Sequence, residues 1–188
     1  MKAILMSIKP KWVAKILNGE KTIEVRKSMP KCDLPIDVYI YCTKDNSDGY
    51  LYYSFGKTIF HDKYVLIKEY DKRCIIGNGK VVAKFTLNKT EMIRPIALGS
   101  FLKTSTLEHR EIIDKSCLTE NEIRRYLTNM YGYAWHISNL VIFDKPMELG
   151  YLKNCQLLQC CYKKDCYECI HKIPIKRPPQ SWQYAEVE

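Results

Sequence analysis

A lysine, a glutamate and an arginine stand close together in Gly19-Glu20-Lys21-Thr22-Ile23-Glu24-Val25-Arg26. Lysine is a compact cation that can lose its proton when desolvated. Glutamate accepts a proton or hydrogen-bonds the edge of a base. Arginine presents a planar fork that fits a phosphate or a base. Gathered at one cleft, Lys21, Glu24 and Arg26 would hold one another and a polar ligand; spread along an exposed strand they would be an ion-pair ladder of little consequence. A second cluster lies near the C-terminus, where Cys155, Cys160, Cys161, Cys166 and Cys169 fall within fifteen residues and His171 follows. Cys166 and Cys169 have zinc-knuckle spacing, and Cys155 with Cys160 or Cys161 offers a second pair. Thiolates suit a tetrahedral, borderline-soft ion, and Lys163, Lys164 and Lys172 would offset their charge. The alternatives are one structural zinc or a loop of reduced thiols. A zinc with all four positions filled by cysteine has none open for catalysis.

These groups depend on the elements around them. The apolar run Lys2–Ile8 reads as a first strand. Pro10 suits the first position of a helix, where its missing N–H costs nothing. Val13, Ile16 and Leu17 make a helical stripe, Lys11, Lys15 and Asn18 point elsewhere, and Gly19 is the C-terminal cap. Residues 21–26 read as a strand with Thr22, Glu24 and Arg26 on one face and Ile23 and Val25 on the other. Strict alternation would put Lys21 opposite Glu24, so Lys21 joins it only from the turn before the strand, which Gly19 permits. Residues 37–42 form a third strand, with Val38, Ile40 and Cys42 alternating against Tyr39 and Tyr41.

Residues 44–79, rich in Asp, Asn, Gly and Tyr, read as an inserted hairpin or long loop. Residues 80–87 form a strand launched by Gly77-Asn78-Gly79. Thr119 and Glu122 spell a capping box, with Leu118 and Ile123 as its hydrophobic staple. Ile123, Leu127 and Met130 continue the buried stripe until Gly132 ends the helix. Residues 133–143 read as one or two strands around Ser138-Asn139. This order predicts a mixed α+β domain with a barrel-like sheet.

Composition narrows the partners. The chain has 188 residues, 46% of them hydrophobic, and carries 30 basic against 21 acidic side chains, a formal charge of +9. That surplus favours a polyanionic partner; the plain alternative is a soluble basic protein. Fourteen tyrosines favour a strand-rich fold. Residues 1–8 are apolar but short, and Lys9 and Lys11 follow them, which is not a signal-peptide layout. No run of about 18 apolar residues is present, so no membrane span is expected. Nine cysteines without an export signal read as thiols or metal ligands in a cytoplasmic protein.

Residues 19–26 resemble the ASCH domain signature, G-x-K-x-x-E-x-R, matched at Gly19, Lys21, Glu24 and Arg26. Lys80-Val81-Val82-Ala83-Lys84-Phe85, Ala134-Trp135-His136-Ile137 and Arg177-Pro178-Pro179-Gln180-Ser181-Trp182 look like the longer phage- and Firmicute-type members, so the resemblance runs through almost the whole chain. It implies a PUA-like mixed β-barrel with flanking helices and a Cys-rich C-terminal segment. Residues 1–149 would be the ASCH domain, with an insertion at 44–79, and residues 150–188 a Cys-rich segment whose tail returns to the barrel. The implied partner is RNA or a modified nucleoside. Small ASCH members include hydrolases of N4-acetylcytidine that use a lysine, a threonine and a glutamate. Lys21 matches that lysine, whereas the threonine position holds Glu24, and Thr22 stands elsewhere in the motif. Another member is described as a metal-dependent ribonuclease, for which no carboxylate cluster is legible here.

The expected site therefore comprises Lys21, Glu24 and Arg26 in one solvent-accessible cleft, with Trp12, His136 and Trp182 around the ligand. Lys21 and Glu24 are the catalytic candidates if the protein is an amidohydrolase or a ribonuclease. Tyr39, Tyr41 and Trp135 are further candidates for stacking on a base, with core packing as their alternative role. RNA binding should depend strongly on salt, and Arg26→Ala should weaken it more than Lys15→Ala.

Overall fold

A computed structural model describes residues 1–44, 49–54, 57–61, 75–95, 102–128, 130–155 and 172–187. Strand β1 (Lys2–Ile8) runs parallel to β3 (Ile36–Cys42) and antiparallel to β12 (Trp182–Glu186). Ile4, Met6 and Ile8 enter one core and Ala3 and Leu5 another. A strand covered on both faces reads as a continuous apolar run, which is why its sequence lacks alternation. Between β1 and β3 lie helix α1 (Pro10–Leu17), with Pro10 in its first turn, and strand β2 (Ile23–Arg26). Helix α1 buries Val13, Ala14, Ile16 and Leu17 against the first core.

The spine of the sheet is a pair of long antiparallel strands, β7 (Val81–Pro95) and β9 (Gly132–Met147). Their register shifts three times, between Val81 and Ala83, Lys84 and Thr86, and Leu87 and Thr90, and Asn139 has φ +47°. Such irregularities bend a strand and raise its twist, which lets strands of 15 and 16 residues curl around a core. The described part of residues 44–79 supplies a separate three-stranded sheet of β4 (Tyr50–Ser54), β5 (Lys57–His61) and β6 (Ile75–Ile76). Three short strands follow in the main sheet, β8 (Leu102–Lys103) on β7, and β10 (Lys153–Cys155) beside β11 (Lys172–Pro174).

The main sheet has the order β11-β10-β12-β1-β3-β7-β9-β2, with β8 paired to β7. Helices α2 (His109–Ser116) and α3 (Glu120–Leu127) cover a second core built on Ile23, Val25, Ile93, Ile112, Ile123 and Ala134. The class is thus mixed α+β. Among the described residues the strand path has two ends, so the expected barrel is not closed by backbone pairing. The gap is bridged by a side chain instead: Arg26 on β2 donates to the Ser7 carbonyl on β1 at 2.8 Å.

Several expectations need adjustment. Strand β7 runs to Pro95 through polar residues, and α2 carries only two isoleucines and no glycine stop, its C-cap being Cys117 at φ +54°. The Thr119–Glu122 capping box is present on α3. That helix ends at Leu127, with Thr128 at φ +53°, so Met130 lies beyond it and is 60% exposed instead of joining the stripe. Gly132 opens β9. Residues 156–171, which hold Cys160, Cys161, Cys166 and Cys169, lie outside the described residues, as does the side chain of Cys155. Among the described residues no helix is long and apolar enough to cross a membrane.

Candidate functional site

Gly19 sets the position of Lys21. Its φ of +76° is the left-handed conformation that glycine adopts without strain. The chain then turns back so that the Glu20 and Lys21 N–H groups both donate to the Lys15 carbonyl, each at 3.0 Å. The Thr22 N–H donates to the Lys115 carbonyl at 2.9 Å, which docks this turn on the C-terminal end of α2. Lys21 therefore precedes β2 and escapes the alternation that would have separated it from Glu24.

The three charged residues of the motif meet. Lys21 Nζ lies 3.2 Å from Glu24 Oε2, and Arg26 Nη2 lies 3.1 Å from Glu24 Oε1. Lys21 also donates to the Ser116 carbonyl at 2.6 Å, and the negative end of the α2 dipole favours a cation there. Arg26 Nη2 donates to the Ser7 carbonyl at 2.8 Å and Nη1 to Ser181 Oγ at 3.2 Å. Arg26 Nε is buried with no hydrogen-bond partner. The residues converge as expected but do not line an open cleft: Lys21, Glu24 and Arg26 are 2%, 9% and 6% exposed. The end of α2, Ser7 of β1 and the 181 segment cover them. Two cations thus share the Glu24 carboxylate, and Glu122 of α3, its carboxyl held down by the Thr119 N–H and also by the charges of Lys11 and Lys21, is a second carboxylate near them.

Aromatic rings border the cluster. The half-buried Trp12 ring has Lys21 Nζ 5.5 Å and Lys11 Nζ 4.7 Å from its centroid, within cation–π range. Glu24 sits opposite Trp135 in the β2–β9 register, and Trp135 packs 5.3 Å from Trp182. Both indole N–H groups donate to Ser28, Trp135 to its carbonyl and Trp182 to its Oγ, at 3.1 Å each. Trp135 is wholly buried and Trp182 half-buried. Tyr39 and Tyr41 are buried in a different core and do not approach the cluster's face.

On its far side Ser7 lines an open cavity of about 730 Å³. The Ser7 hydroxyl donates to the Pro179 carbonyl at 2.6 Å. Lys44, Lys176 and Arg177 also line this cavity, against a Glu148 that pairs with Lys80.

His136 belongs to another cluster. It pairs in register with Ile23, on the opposite face of β9 from Trp135, and its Nε2 lies 2.7 Å from Glu91 Oε2. Ser105 and Thr106 hydroxyls donate to Glu91 Oε1 at 2.6 and 2.7 Å. Burial pushes the Glu91 carboxyl up, but the bonds from Ser105, Thr106, His136 and Lys89 outweigh it and hold the group down at about 2. Glu91 thereby pins the 104–107 turn that leads into α2. Among the described residues no group of three or more His, Cys, Asp or Glu side chains gathers as a metal site.

A sequence-family model described as the ASCH domain matches residues 6–178. The chain belongs to the ASCH domain family. No curated protein matches it. A crystal structure of ASCH from Zymomonas mobilis resembles it with a TM-score of 0.52 at 16% identity, covering 97% of this chain and 86% of the other. A variant of that protein with a serine replaced by alanine gives 0.51 at 16% identity, covering 97% and 87%. At this identity the likeness concerns the fold.

Within this ASCH domain, then, the sequence-picked Lys21, Glu24, Arg26, Trp12 and Trp182 come together, and His136 stands apart. Reading the sequence did not single out Ser7, Ser28 or Ser116. Their contributions include backbone carbonyls, which carry no residue signature. Glu91 had a faint signal: a lone carboxylate between apolar neighbours Met92 and Ile93 and the polar Thr90 is a candidate buried acid.

Proposed function

We propose that this ASCH domain binds RNA or a modified nucleoside at the Lys21–Glu24–Arg26 cluster, with Trp12 and Trp182 beside the ligand. The observation that carries this reading is the joining of a cluster of two cations and a shared carboxylate to two half-buried tryptophans on one face of the sheet. A base needs a ring to stack on and polar groups at its edge, and a phosphate needs a cation. Arg26 Nε, buried and unmatched, is a donor that a bound water or a ligand-induced shift would satisfy. The formal charge of +9 would draw a polyanion to the surface.

Tryptophan fluorescence titrated with cytidine, with N4-acetylcytidine and with a short single-stranded RNA at several salt concentrations tests the reading. RNA affinity should fall steeply with salt. Trp12→Ala should weaken both nucleoside and RNA by roughly tenfold, the order of one stacked base. Lys15→Ala should change little, because Lys15 already pairs with Glu20 at 2.8 Å on the surface. Arg26→Ala should lose more than Lys15→Ala, but Arg26 also joins β2 to β1, so its loss needs a parallel check of folding. Equal losses for Trp12→Ala and Lys15→Ala would reduce binding to diffuse electrostatics. Release of acetate from N4-acetylcytidine, abolished by Lys21→Ala, would replace the binding reading with the hydrolase.

A further inference from the structure

The face of the sheet that holds the cluster does not stop at Arg26. In register across the strands, Arg26 of β2 stands opposite Tyr133 of β9, and Tyr133 stands opposite Met92 of β7. Cross-strand partners share a face, so these three form one row. Beyond it Tyr131 packs edge-on against Tyr133 with centroids 6.2 Å apart, and Arg94 directs Nε to Met92 Sδ at 3.2 Å. Met29 joins the row before it, its sulfur 3.7 Å from Thr90 Oγ1. Just past the end of β2, Lys27 Nζ lies 5.3 Å over the ring of Tyr126 on α3, the helix that covers the opposite face.

These side chains ought to be buried if they served only the fold. Tyr131 is 51% exposed, Met29 45% and Met92 37%. A concentration of large apolar groups at one surface marks a contact surface. Its charges identify the partner. Lys27 and Arg94 are exposed cations. The carboxylates nearby are engaged: Glu24 is paired with Lys21 and Arg26, Glu122 of α3 accepts from the Thr119 N–H and hydroxyl, and Glu91 turns to the other face. Rings and thioethers interleaved with cations are what a flexible polyanion with stackable bases requires.

We infer that this strip, from Met29 through Met92 and Tyr133 to Tyr131, is the path of a single-stranded nucleic acid leaving the cluster. The inference rests on the nucleotide-binding reading above and extends it from one base to several nucleotides. Tyr131 stacks on a base, Lys27 and Arg94 meet phosphates, and Met92 supplies an adaptable apolar floor.

The test uses the full chain and a fluorescein-labelled oligouridine of about ten nucleotides, within the span that single-strand-binding surfaces cover. Tyr131→Ala should weaken the oligonucleotide by roughly tenfold and leave the cytidine titration followed by tryptophan fluorescence unchanged. Tyr131→Phe should bind like the parent, since stacking needs only the ring. Arg94→Ala should lower the slope of log affinity against log salt by about 0.7, one phosphate contact on a single strand. Oligonucleotide binding unaffected by Tyr131→Ala would overturn the inference. So would an oligouridine that binds no tighter than cytidine, although the cluster reading would then stand. Failure of both ligands to bind would remove the two readings together. Concentration-dependent dimerisation lost in Tyr131→Ala, with RNA binding intact, would assign the strip to a second copy of the chain instead.

Discussion

Replacing Glu24 with glutamine keeps the size of the side chain and removes the charge between Lys21 and Arg26. In the native protein each cation lies 3.1–3.2 Å from that carboxylate, and the Lys21 and Arg26 side chains are 1% and 7% exposed. At an effective dielectric of about 20, each contact corresponds to roughly 5 kcal/mol of attraction, most of which offsets the desolvation of the two ions. The glutamine variant retains the desolvation and loses the attraction. Removing one partner from a buried ion pair costs about 3–5 kcal/mol. Against a total stability of about 5–15 kcal/mol, that is a large fraction. At about 2–4 °C per kcal/mol for a domain of this size, the melting temperature should fall by roughly 6–20 °C. Urea and thermal unfolding followed by circular dichroism measure it. The same change at Glu20, whose carboxylate pairs with Lys15 in solvent, should leave the melting temperature unmoved. Adding Lys21→Met to Glu24→Gln removes one stranded cation, so the double variant should lose less than the two single losses combined. A Glu24→Gln loss under about 1 kcal/mol, or strict additivity in the double variant, would refute the view that these charges hold one another.

Three other outcomes are expected. Glu91 titrates near 2 in the folded protein, below its ordinary 4.5; a depressed carboxylate contributes stability above its unfolded value and loses it as pH falls through the folded one. Stability should therefore decline between about pH 4.5 and 2, by on the order of 3 kcal/mol from this group, and Glu91→Gln should flatten that limb in acid titrations followed by circular dichroism. Gly132→Ala would set a Cβ 2.4 Å and 2.7 Å from the Leu127 methyls and 3.1 Å from the Arg26 carbonyl, so urea unfolding should show a loss of about 1–3 kcal/mol from overpacking. The spacing of Cys155, Cys160 or Cys161, Cys166 and Cys169 predicts one tightly held zinc: metal analysis should return about one equivalent, and less than about a tenth would leave the reduced-thiol alternative.

Much of the frame was legible because local chemistry dictated it. Pro10 and Gly19 bound α1 as their backbone preferences require, and the Thr119–Glu122 box starts α3. The apolar run of β1 and the shared face of Glu24 and Arg26 were equally readable, whereas Thr22, expected on that face, precedes β2 and is exposed. What escaped depends on partners remote in sequence. Strand β7 continues through Asn88, Lys89 and Thr90 because β9 pairs with it and bulges absorb the mismatch. Helix α2 has little apolar periodicity of its own, yet its C-terminal carbonyls receive Lys21 and Thr22. The burial of the motif was hidden for the same reason: Ser7, Ser116 and Ser181 cover it from 19, 95 and 155 residues away in the chain.

The motif therefore does two jobs that mutagenesis at its own residues would confuse. Gly19 makes the α1–β2 turn, Lys21 and the Thr22 N–H fix it to the end of α2, and Arg26 fastens β2 to β1 across a gap that no backbone ladder spans among the described residues. A lost binding signal in Lys21→Ala or Arg26→Ala would follow equally from an opened sheet or a missing ligand contact. Trp12 and Tyr131 escape this ambiguity, being the first half-buried and the second half-exposed. If the signature served the fold alone, substitutions at those two rings would leave ligand binding intact. If it marks the start of a binding path, Trp12→Ala weakens nucleoside and RNA alike, whereas Tyr131→Ala weakens only the longer ligand. The pattern of losses across the two rings therefore separates architecture from recognition without disturbing the buried charges.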